Sequence, residues 1–240
     1  MLYIKNKIEL EEKGYAVIDH LYTDDEINQI ITCLETTEQK GSSFMKTADL
    51  FAIRQLFKNI PNLYRFIFNK KLVSLLKELT DGNYFLTKAI YFDKPNGSNW
   101  FVAYHQDLSI SVDQKATIEN YTNWTFKKEQ YGVQPPLEIL EDTITIRIHL
   151  DKTDKNNGAL KVIPKSHLKG IIRVNEKSWD VENEYTCEVE KGGVMLMKPL
   201  TLHASNKSLK GTKRRVIHLE FNKHQLAYPL NWLEYFDFKS

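Results

Sequence analysis

Cysteine is scarce in this sequence, and its scarcity bears on where the protein works. Its two cysteines, Cys33 and Cys187, are far apart and form neither a CxxC pattern nor a disulfide framework. Proteins of oxidising compartments commonly carry paired cysteines, whereas a reducing cytoplasm leaves thiols free. We therefore predict a cytoplasmic protein.

Long apolar runs and concentrated charge are also lacking. No stretch approaches the roughly 20 apolar residues of a membrane span, and the N-terminal segment holds no apolar run long enough for a signal peptide. The 33 basic and 31 acidic residues nearly balance, while nucleic-acid binding normally requires a concentrated basic face. We expect neither a membrane nor a nucleic acid as partner, and the sequence does not indicate an oligomeric state.

Apolar material for a core is present. Of the 240 residues, 42% are hydrophobic and 12% are aromatic, and β barrels often reach this length as one domain. We predict a single domain spanning 1–240, in which a mostly helical part (1–82) supports a β core (83–223).

The first third is predicted to be mainly helical. Thr23 is placed to cap a helix, and Glu26 occupies the capping-box position three residues later. The predicted elements are a strand at Tyr15–Ile18, the capped helix to about Leu34, a loop at 40–43, and helices at Ala48–Lys58 and Leu63–Leu79 that end before Asp81-Gly82.

Strand-like segments dominate from Tyr84 onwards. The candidates are Phe85–Phe92, Val102–Ile110, Thr143–Leu150, Ala159–Ile163, Tyr185–Val189, Val194–Met197 and Val216–Phe221. Asn157-Gly158 suits a tight hairpin turn, because glycine adopts a positive φ without steric cost. Many strands after a helical block predict a mainly β (α+β) fold, a sandwich or jelly roll buttressed by helices.

One long segment, Ser111–Glu138, does not follow the regular pattern. It contains aromatic residues and Pro135-Pro136 without clear periodicity. Connections of this length in compact domains are often functional, and the aromatic content argues against plain disorder. A lid that lines the substrate site is our hypothesis for this segment.

The pattern His-x-acid carries the main chemical signal. Residues two apart on a strand point the same way, so His105 and Asp107 can reach one metal, with Gln106 facing the other side. A third ligand must come from another strand, and His203 is far enough along the chain to supply it. Two imidazoles and one carboxylate leave three octahedral positions open, which is typical of Fe(II) enzymes.

Two other pairs match the same pattern, and about one match is expected by chance. His218 and Glu220 leave only His224 downstream as a ligand, which is too close for a barrel-spanning site. His149 and Asp151 lie at a strand end, where Asp151 is more simply a turn residue. Spacing alone therefore favours the first pair only modestly over the pair at His149.

Arg214 provides separate support. Arg214, Val216 and His218 share one face of the last predicted strand, and the opposite face is more apolar. Arg214 is then expected to point into the barrel, where an arginine is costly unless a planar anion pairs with it. A dicarboxylate that chelates iron at one end could offer its other end to this guanidinium; the alternative is that Arg214 caps the barrel or pairs with an acidic side chain.

With these residues the chain resembles the phytanoyl-CoA dioxygenase family of Fe(II)/2-oxoglutarate oxygenases. The resemblance lies in Gly14–Ile18 before a TDDE helix start, the HQD core in Tyr104–Asp107, the stretch Asp151–His167, and His203–Asn206 followed by Arg214. Lys165 departs from the family, which usually has glycine in VIPGSH. The order of the four segments is what makes the likeness specific.

The resemblance implies a double-stranded β-helix and an enzyme that uses Fe(II), 2-oxoglutarate and O2. It implies that His105, Asp107 and His203 are the catalytic metal ligands and that Arg214 anchors 2-oxoglutarate. Further candidate cosubstrate contacts are Arg147, Ser205 and Gln106, and Thr145, Arg147 and His149 would line the cavity if the isoleucines between them pack outward. His167 is expected to be structural or at the rim.

The predicted reaction is hydroxylation of a small molecule with release of succinate and CO2. Asp107 favours hydroxylation over halogenation, since halogenating relatives replace this carboxylate with a small residue. Two alternatives stay open: a jelly-roll metalloenzyme that does not use 2-oxoglutarate, and a non-catalytic jelly roll that binds a ligand.

Overall fold

Antiparallel strands dominate the fold, and the predicted mainly β architecture with flanking helices is confirmed. The computed structural model describes residues 2–37, 43–47, 51–80, 82–94, 101–172, 183–207 and 213–238. Its helices are α1 (Ile4–Lys13), α2 (Asp24–Glu35), α3 (Leu56–Asn59), α4 (Tyr64–Ile67), α5 (Lys70–Leu79) and α6 (Leu137–Glu141). None of the helices in these ranges is long and apolar enough to cross a membrane.

The strands form three sheets. They are β1 (Tyr15–Ile18), β2 (Phe44–Lys46), β3 (Phe51–Arg54), β4 (Phe85–Lys94), β5 (Val102–His105), β6 (Ile110–Val112), β7 (Thr122–Lys127), β8 (Gln130–Gln134), β9 (Ile144–His149), β10 (Leu160–Val162), β11 (Tyr185–Cys187), β12 (Val194–Met197), β13 (His203–Ser205) and β14 (Arg214–Asn222). The large sheet has the order β1-β12-β9-β14-β4-β3-β2, the small sheet β11-β10-β13-β5, and the third sheet β6-β8-β7. The N-terminal third thus contributes three strands to the large sheet as well as helices.

Strand alternation divides the large sheet into an apolar outer face and a polar inner face. Ile146 and Ile148 of β9, and Ile217 and Leu219 of β14, belong to the main core, which they form together with leucines and isoleucines of α1, α2 and α5. The residues between them point to the small sheet. This alternation places a polar cavity between the two sheets.

The helix start at Thr23 is confirmed, with both bonds of a capping box. The Thr23 side chain accepts a hydrogen bond from the Glu26 N–H at 3.2 Å, and the Glu26 carboxylate accepts one from the Thr23 N–H at 2.8 Å. Burial of Ile27, Ile30 and Leu34 then docks α2 on the core.

Two predicted helices are corrected. Within the predicted helix 48–58, residues Phe51–Arg54 form β3, because pairing with β4 overrides a short apolar run that has no decisive period; residues 48–50 lie outside the described ranges. The predicted helix Leu63–Leu79 breaks before Asn69, whose side chain caps α5 by accepting from the Leu72 N–H at 2.9 Å.

The long predicted strand Val102–Ile110 is also shorter in the structure, since β5 ends at His105 and β6 begins at Ile110. Gly158 has the predicted positive φ, at 83°. It does not lie in a tight hairpin, however, because the strands on either side, β9 and β10, belong to different sheets.

The irregular segment Ser111–Glu138 contains most of the third sheet. A bulge in β7, where Asn123 has a φ of 51°, shifts the register of β7 against β8. Apolar and polar residues therefore do not alternate regularly along this part of the sequence. The β7–β8 turn at Lys128-Glu129 has positive φ at both residues, 54° and 58°. Such turns usually carry Asn or Gly, so the pair Lys-Glu does not predict a hairpin turn here.

Candidate metal and cosubstrate site

The three predicted metal ligands lie together at one end of the small sheet. His105 ends β5 and His203 begins β13, and the two are paired in register. Asp107 follows the strand, where its N–H donates to the Pro199 carbonyl at 2.9 Å. One donor atom from each side chain lies within 4.8 Å of the other two, and no second cluster of this kind occurs among the described residues.

Hydrogen bonds fix which nitrogen of each histidine faces the site. Nδ1 of His105 lies 2.9 Å from the Ala103 carbonyl, and Nδ1 of His203 lies 2.9 Å from the Thr201 carbonyl. A carbonyl only accepts, so each Nδ1 donates, and in the neutral ring the lone pair lies on Nε2. Both Nε2 atoms lie 3.7 Å from an oxygen of Asp107. Bonds of this kind orient ligating histidines in metal sites.

The protonation states also suit a metal. Burial lowers the pKa of His203 to about 4, although Asp107 opposes this shift. Burial alone would raise the pKa of Asp107, but the nearby histidines, His203 foremost, outweigh it and hold the pKa at about 2. At neutral pH His203 is therefore neutral and Asp107 ionised, as metal ligation requires.

The two competing His-x-acid pairs do not form metal sites. Asp151 accepts hydrogen bonds from the Arg215 guanidinium at 2.8 and 2.9 Å, so its carboxylate is paired on the outer face of the large sheet. His149 is buried and its Nδ1 lies 2.8 Å from the Thr153 hydroxyl. His218 and Glu220 bond to each other, with Nε2 and Oε1 2.9 Å apart.

A cavity of about 410 Å³ opens beside the triad, within the usual size range of small-molecule sites. The large sheet contributes Arg54, Lys88, Ile90, Phe92, Lys94, Arg147, Arg214, His218 and Glu220; the small sheet contributes Val102, His105, Leu160, His203 and Ser205; and the chain from 107 to 132 contributes Asp107, Ser109, Ser111, Thr125, Lys127, Gln130, Tyr131 and Gly132. All three sheets therefore line one site.

Arg214 points inward, as predicted. Its guanidinium donates to the Gly158 carbonyl and lies 3.4 Å from the Ser205 hydroxyl, and no described carboxylate pairs with it. Burial, together with the nearby charge of Arg147, lowers its pKa to about 9. Two close guanidinium groups in a buried site repel each other unless an anion lies between or beside them.

Arg147 also lines the cavity, so it does not lie on the outer surface of the protein. Its Nε is buried without a hydrogen-bond partner among the described residues, while its Nη1 lies 3.1 Å from Nδ1 of His218. The guanidinium only donates and Glu220 only accepts, so His218 is the neutral Nε2–H tautomer. Lys88 completes this network at 2.7 Å from Glu220.

The remaining predicted contacts divide into two groups. Ser205 lines the cavity beside Arg214, and its hydroxyl donates to the Gly158 carbonyl at 3.0 Å. Gln106 does not reach the cavity, because its amide binds the backbone of three residues, Gly170, Leu200 and Ile172. The prediction that Gln106 contacts the cosubstrate is therefore corrected: it anchors the loop behind the ligands.

Of the three polar residues on the inner face of β9, only Arg147 lines the cavity. Thr145 and His149 are buried but are not part of the cavity wall. Burial, then the positive charges of Arg147 and Arg214, lower the pKa of His149 well below its usual range. His167 is structural, as predicted, with Nε2 3.0 Å from the Glu11 carbonyl.

Comparison with known families decides the assignment. The family model for phytanoyl-CoA dioxygenase (PhyH) matches residues 10–216. The chain belongs to the phytanoyl-CoA dioxygenase family. This membership makes it a non-haem oxygenase that depends on Fe(II) and 2-oxoglutarate. No curated protein matches the chain significantly by sequence.

Solved structures agree with the phytanoyl-CoA dioxygenase fold. HygX from Streptomyces hygroscopicus, with nickel and 2-oxoglutarate bound, has a TM-score of 0.65 at 13% identity, covering 91% of this chain and 86% of HygX. The carbocyclase SnoK from nogalamycin biosynthesis has a TM-score of 0.66 at 14% identity, covering 92% and 84%. AviO1 from Streptomyces viridochromogenes has 0.62 at 16%, covering 91% and 93%. At these identities the likeness establishes the fold.

The donor set fits the family's metal and cosubstrate. Two histidines with Nε2 toward one carboxylate are the ligands that non-haem Fe(II) prefers. The buried Nε of Arg147, which has no partner among the described residues, together with the inward Arg214, matches a cosubstrate that carries two carboxylates.

The sequence did not single out every basic group of the cavity. Arg54, Lys94 and Lys127 all line it, and Lys94 is almost fully buried. The position of Arg54 inside the apolar run FAIRQLF could have indicated an inward-facing basic group, but the sequence analysis predicts a helix for this run. Once it is a strand, alternation places Arg54 on the same face as the buried Ala52.

Proposed function

We propose that this chain hydroxylates a small organic molecule with release of succinate and CO2. His105, Asp107 and His203 hold the ferrous ion, and Arg214 anchors the distal carboxylate of 2-oxoglutarate. The observation that carries the proposal is the triad, with both Nε2 atoms 3.7 Å from the carboxylate. It shares one cavity with the inward-facing Arg214, which no described carboxylate neutralises.

When bound, the ferrous ion and 2-oxoglutarate supply the oxidising chemistry. The chain supplies position and charge. Asp107 balances one positive charge of the metal, and retention of this carboxylate favours hydroxylation over halogenation. The hydrogen bonds from Nδ1 of His105 and His203 keep the two rings from rotating.

Arg147 assists Arg214 in this proposal. His218 accepts a hydrogen bond from Arg147 and donates one to Glu220, so the guanidinium is held from behind while its Nε stays unpaired. This arrangement suits a group whose task is to meet an anion rather than a protein carboxylate. Ser205, which is 3.4 Å from Arg214, adds a hydroxyl next to the same anion.

We propose the third sheet as the cover of the substrate site within a single catalytic domain. Ser111, Thr125, Gln130 and Tyr131 of this sheet line the cavity. Among similar structures, HygX holds hygromycin B and SnoN holds nogalamycin RO, which supports a small molecule as substrate. The cytoplasmic location stays a prediction, consistent with free thiols at Cys33 and Cys187.

The test replaces one ligand. Asp107→Ala should weaken Fe(II) binding at least about 100-fold, because even the outer partners of metal ligands are worth about 10–100-fold. Succinate formation from 2-oxoglutarate should fall to background. Calorimetric metal titration and a succinate assay with Fe(II) and ascorbate measure both quantities.

Asp25→Ala is the matched control, since Asp25 is an exposed carboxylate on α2, and it should behave as wild type. Full succinate formation by Asp107→Ala would overturn the metal assignment. Substrate turnover that continues without 2-oxoglutarate would instead favour a jelly-roll metalloenzyme that does not use this cosubstrate.

A further inference from the structure

The cavity carries more positive charge than iron and cosubstrate require. Among the described residues, its wall contains six basic ones, Arg54, Lys88, Lys94, Lys127, Arg147 and Arg214, and two acidic ones, Asp107 and Glu220. The difference is 6 − 2 = 4 positive charges. A ferrous ion adds two positive charges and 2-oxoglutarate two negative ones, so together they leave this excess unchanged. An anionic group bound in the cavity would reduce this excess.

Arg54 is a half-buried basic residue of the cavity wall whose charge has no partner among the described residues. It ends β3, and its Nε is buried without a hydrogen-bond partner in the part of the chain that the structure describes. Its guanidinium makes no hydrogen bond or ion pair with any residue in the described ranges. The backbone is fixed nonetheless, since the Asn59 amide donates to the Arg54 carbonyl at 2.8 Å. A desolvated arginine held in this way is costly unless an anion meets it.

Arg54 is separate from the pair that serves the cosubstrate. The register places Arg54 opposite Ile90, and Ile90 opposite His218, so two strand spacings of about 4.8 Å lie between Arg54 and His218. Arg214 lies four residues further along β14, about 13 Å away at roughly 3.3 Å per residue. Burial alone lowers the pKa of Arg54, whereas Arg147 contributes to the shift of Arg214.

We infer that Arg54 binds an acidic group of the organic substrate, so that the substrates of this enzyme are carboxylates, phosphate esters or sulfate esters. The inference rests on the proposed function and adds the class of substrate to it. The anionic group sits at the β3 side of the cavity, and the carbon to be oxidised lies between that group and the His105–Asp107–His203 triad. Lys127, on β7, faces the same cavity from the third sheet and adds long-range attraction.

The test uses anaerobic protein loaded with Fe(II) and saturating 2-oxoglutarate, so that Arg214 and Arg147 are occupied. Inorganic phosphate, inorganic sulfate and acetate are titrated against chloride of equal ionic strength, and the melting temperature reports binding. We expect phosphate or sulfate to stabilise the wild type. In Arg54→Gln the apparent Kd should rise about tenfold or more, the usual loss for a charge-assisted hydrogen bond. Arg54→Lys keeps the charge and should lose less.

Two controls remove one positive charge elsewhere. Arg65→Gln lies on α4, outside the cavity, and should bind the anions as wild type does. Lys127→Gln removes a charge from the cavity wall itself and should weaken binding less than Arg54→Gln. Three results would each overturn the inference. The wild type and Arg54→Gln could bind the anions equally, the two cavity variants could lose the same affinity, or none of the three anions could stabilise the wild type.

Turnover provides the second arm. Carboxylic acids, phosphate monoesters and sulfate esters are each compared with their neutral parent compounds, with succinate formation above the substrate-free rate as the readout. Stimulation should come from anionic members, their chemistry should match the anion that binds best, and Arg54→Gln should raise their KM about tenfold. Stimulation by neutral compounds alone would overturn the inference but leave the proposed function intact, whereas absence of 2-oxoglutarate binding and of any succinate would overturn the proposed function itself.

Discussion

Arg214 and Arg215 are neighbours in sequence but lie on opposite faces of β14 in opposite situations. Arg215 faces outward and forms a bidentate pair with Asp151, at 2.8 and 2.9 Å, and reaches Glu35 at 3.2 Å. Arg214 faces the cavity, where it meets a carbonyl, a hydroxyl and the like charge of Arg147. One arginine is satisfied by the protein, and the other is not.

The contrast separates a charge that is paired within the protein and stabilises the fold from a charge that is available to bind a ligand. Arg215 connects β14 to the loop after β9 and to α2, so its charge is neutralised within the chain. Arg214 and Arg147 are desolvated together, which destabilises the protein until an anion arrives. Functional groups are therefore found where a charge lacks its partner, and structural groups where the partner is present.

The largest effect should follow replacement of the unsatisfied arginine. Arg214→Gln should raise the Kd for 2-oxoglutarate about 100-fold or more, because it removes a bidentate, charge-assisted contact. Its free energy of unfolding without ligand should stay the same or rise, since one of two like charges is gone. Anaerobic titration of the Fe(II) protein with 2-oxoglutarate and chemical denaturation measure the two quantities.

Arg215→Gln is the matched variant and should give the reverse pattern. It should lower the free energy of unfolding by about 1–3 kcal/mol, because it leaves Asp151 half-buried without its partner. Its affinity for 2-oxoglutarate should not change. If both variants lose stability and both keep the cosubstrate, the distinction between the two faces of β14 is wrong.

A further effect, on stability alone, is expected from the carboxyl group of Glu234. Burial raises the pKa of Glu234 to about 7, above the unfolded value, so between about pH 4.5 and 7 the folded protein holds the proton more tightly. The free energy of unfolding must then fall as pH rises through this window. Glu234→Gln removes the effect and should be about 1–3 kcal/mol more stable than wild type at pH 8.

At about pH 3.5 the same variant should nearly match the wild type, because Glu234 is then mostly protonated in both the folded and the unfolded state. Urea denaturation at the two pH values measures the difference. A constant difference across this range would mean that Glu234 keeps its charge in the folded protein, held by nearby lysines such as Lys88.

The sequence was most informative where alternation and spacing are regular. The strands around Arg147 and Arg214 and their inward faces follow from alternation in the sequence. The family resemblance adds the three candidate metal ligands, because it separates His105 from His149, and the structure brings these three side chains together. β13 was not predicted as a strand, although it carries His203. The pairing of this short strand with β5 and β10 cannot be found from local propensity.

Other features depend on contacts that no local pattern contains. β3 forms because β4 is there to pair with it, and the β7–β8 hairpin turns through Lys128-Glu129, residues that rarely occupy positive φ. Gln106 illustrates the same limit. Its place between two candidate ligands in sequence predicts a place in the site, whereas its amide binds backbone groups on the other side of the strand.

The most direct measurement is a crystal structure of the protein grown anaerobically with Fe(II) and 2-oxoglutarate. The account predicts one metal ion on Nε2 of His105, Nε2 of His203 and a carboxylate oxygen of Asp107, with the far carboxylate of 2-oxoglutarate on Arg214. A metal bound elsewhere, or a cosubstrate whose far carboxylate does not touch Arg214, would contradict it.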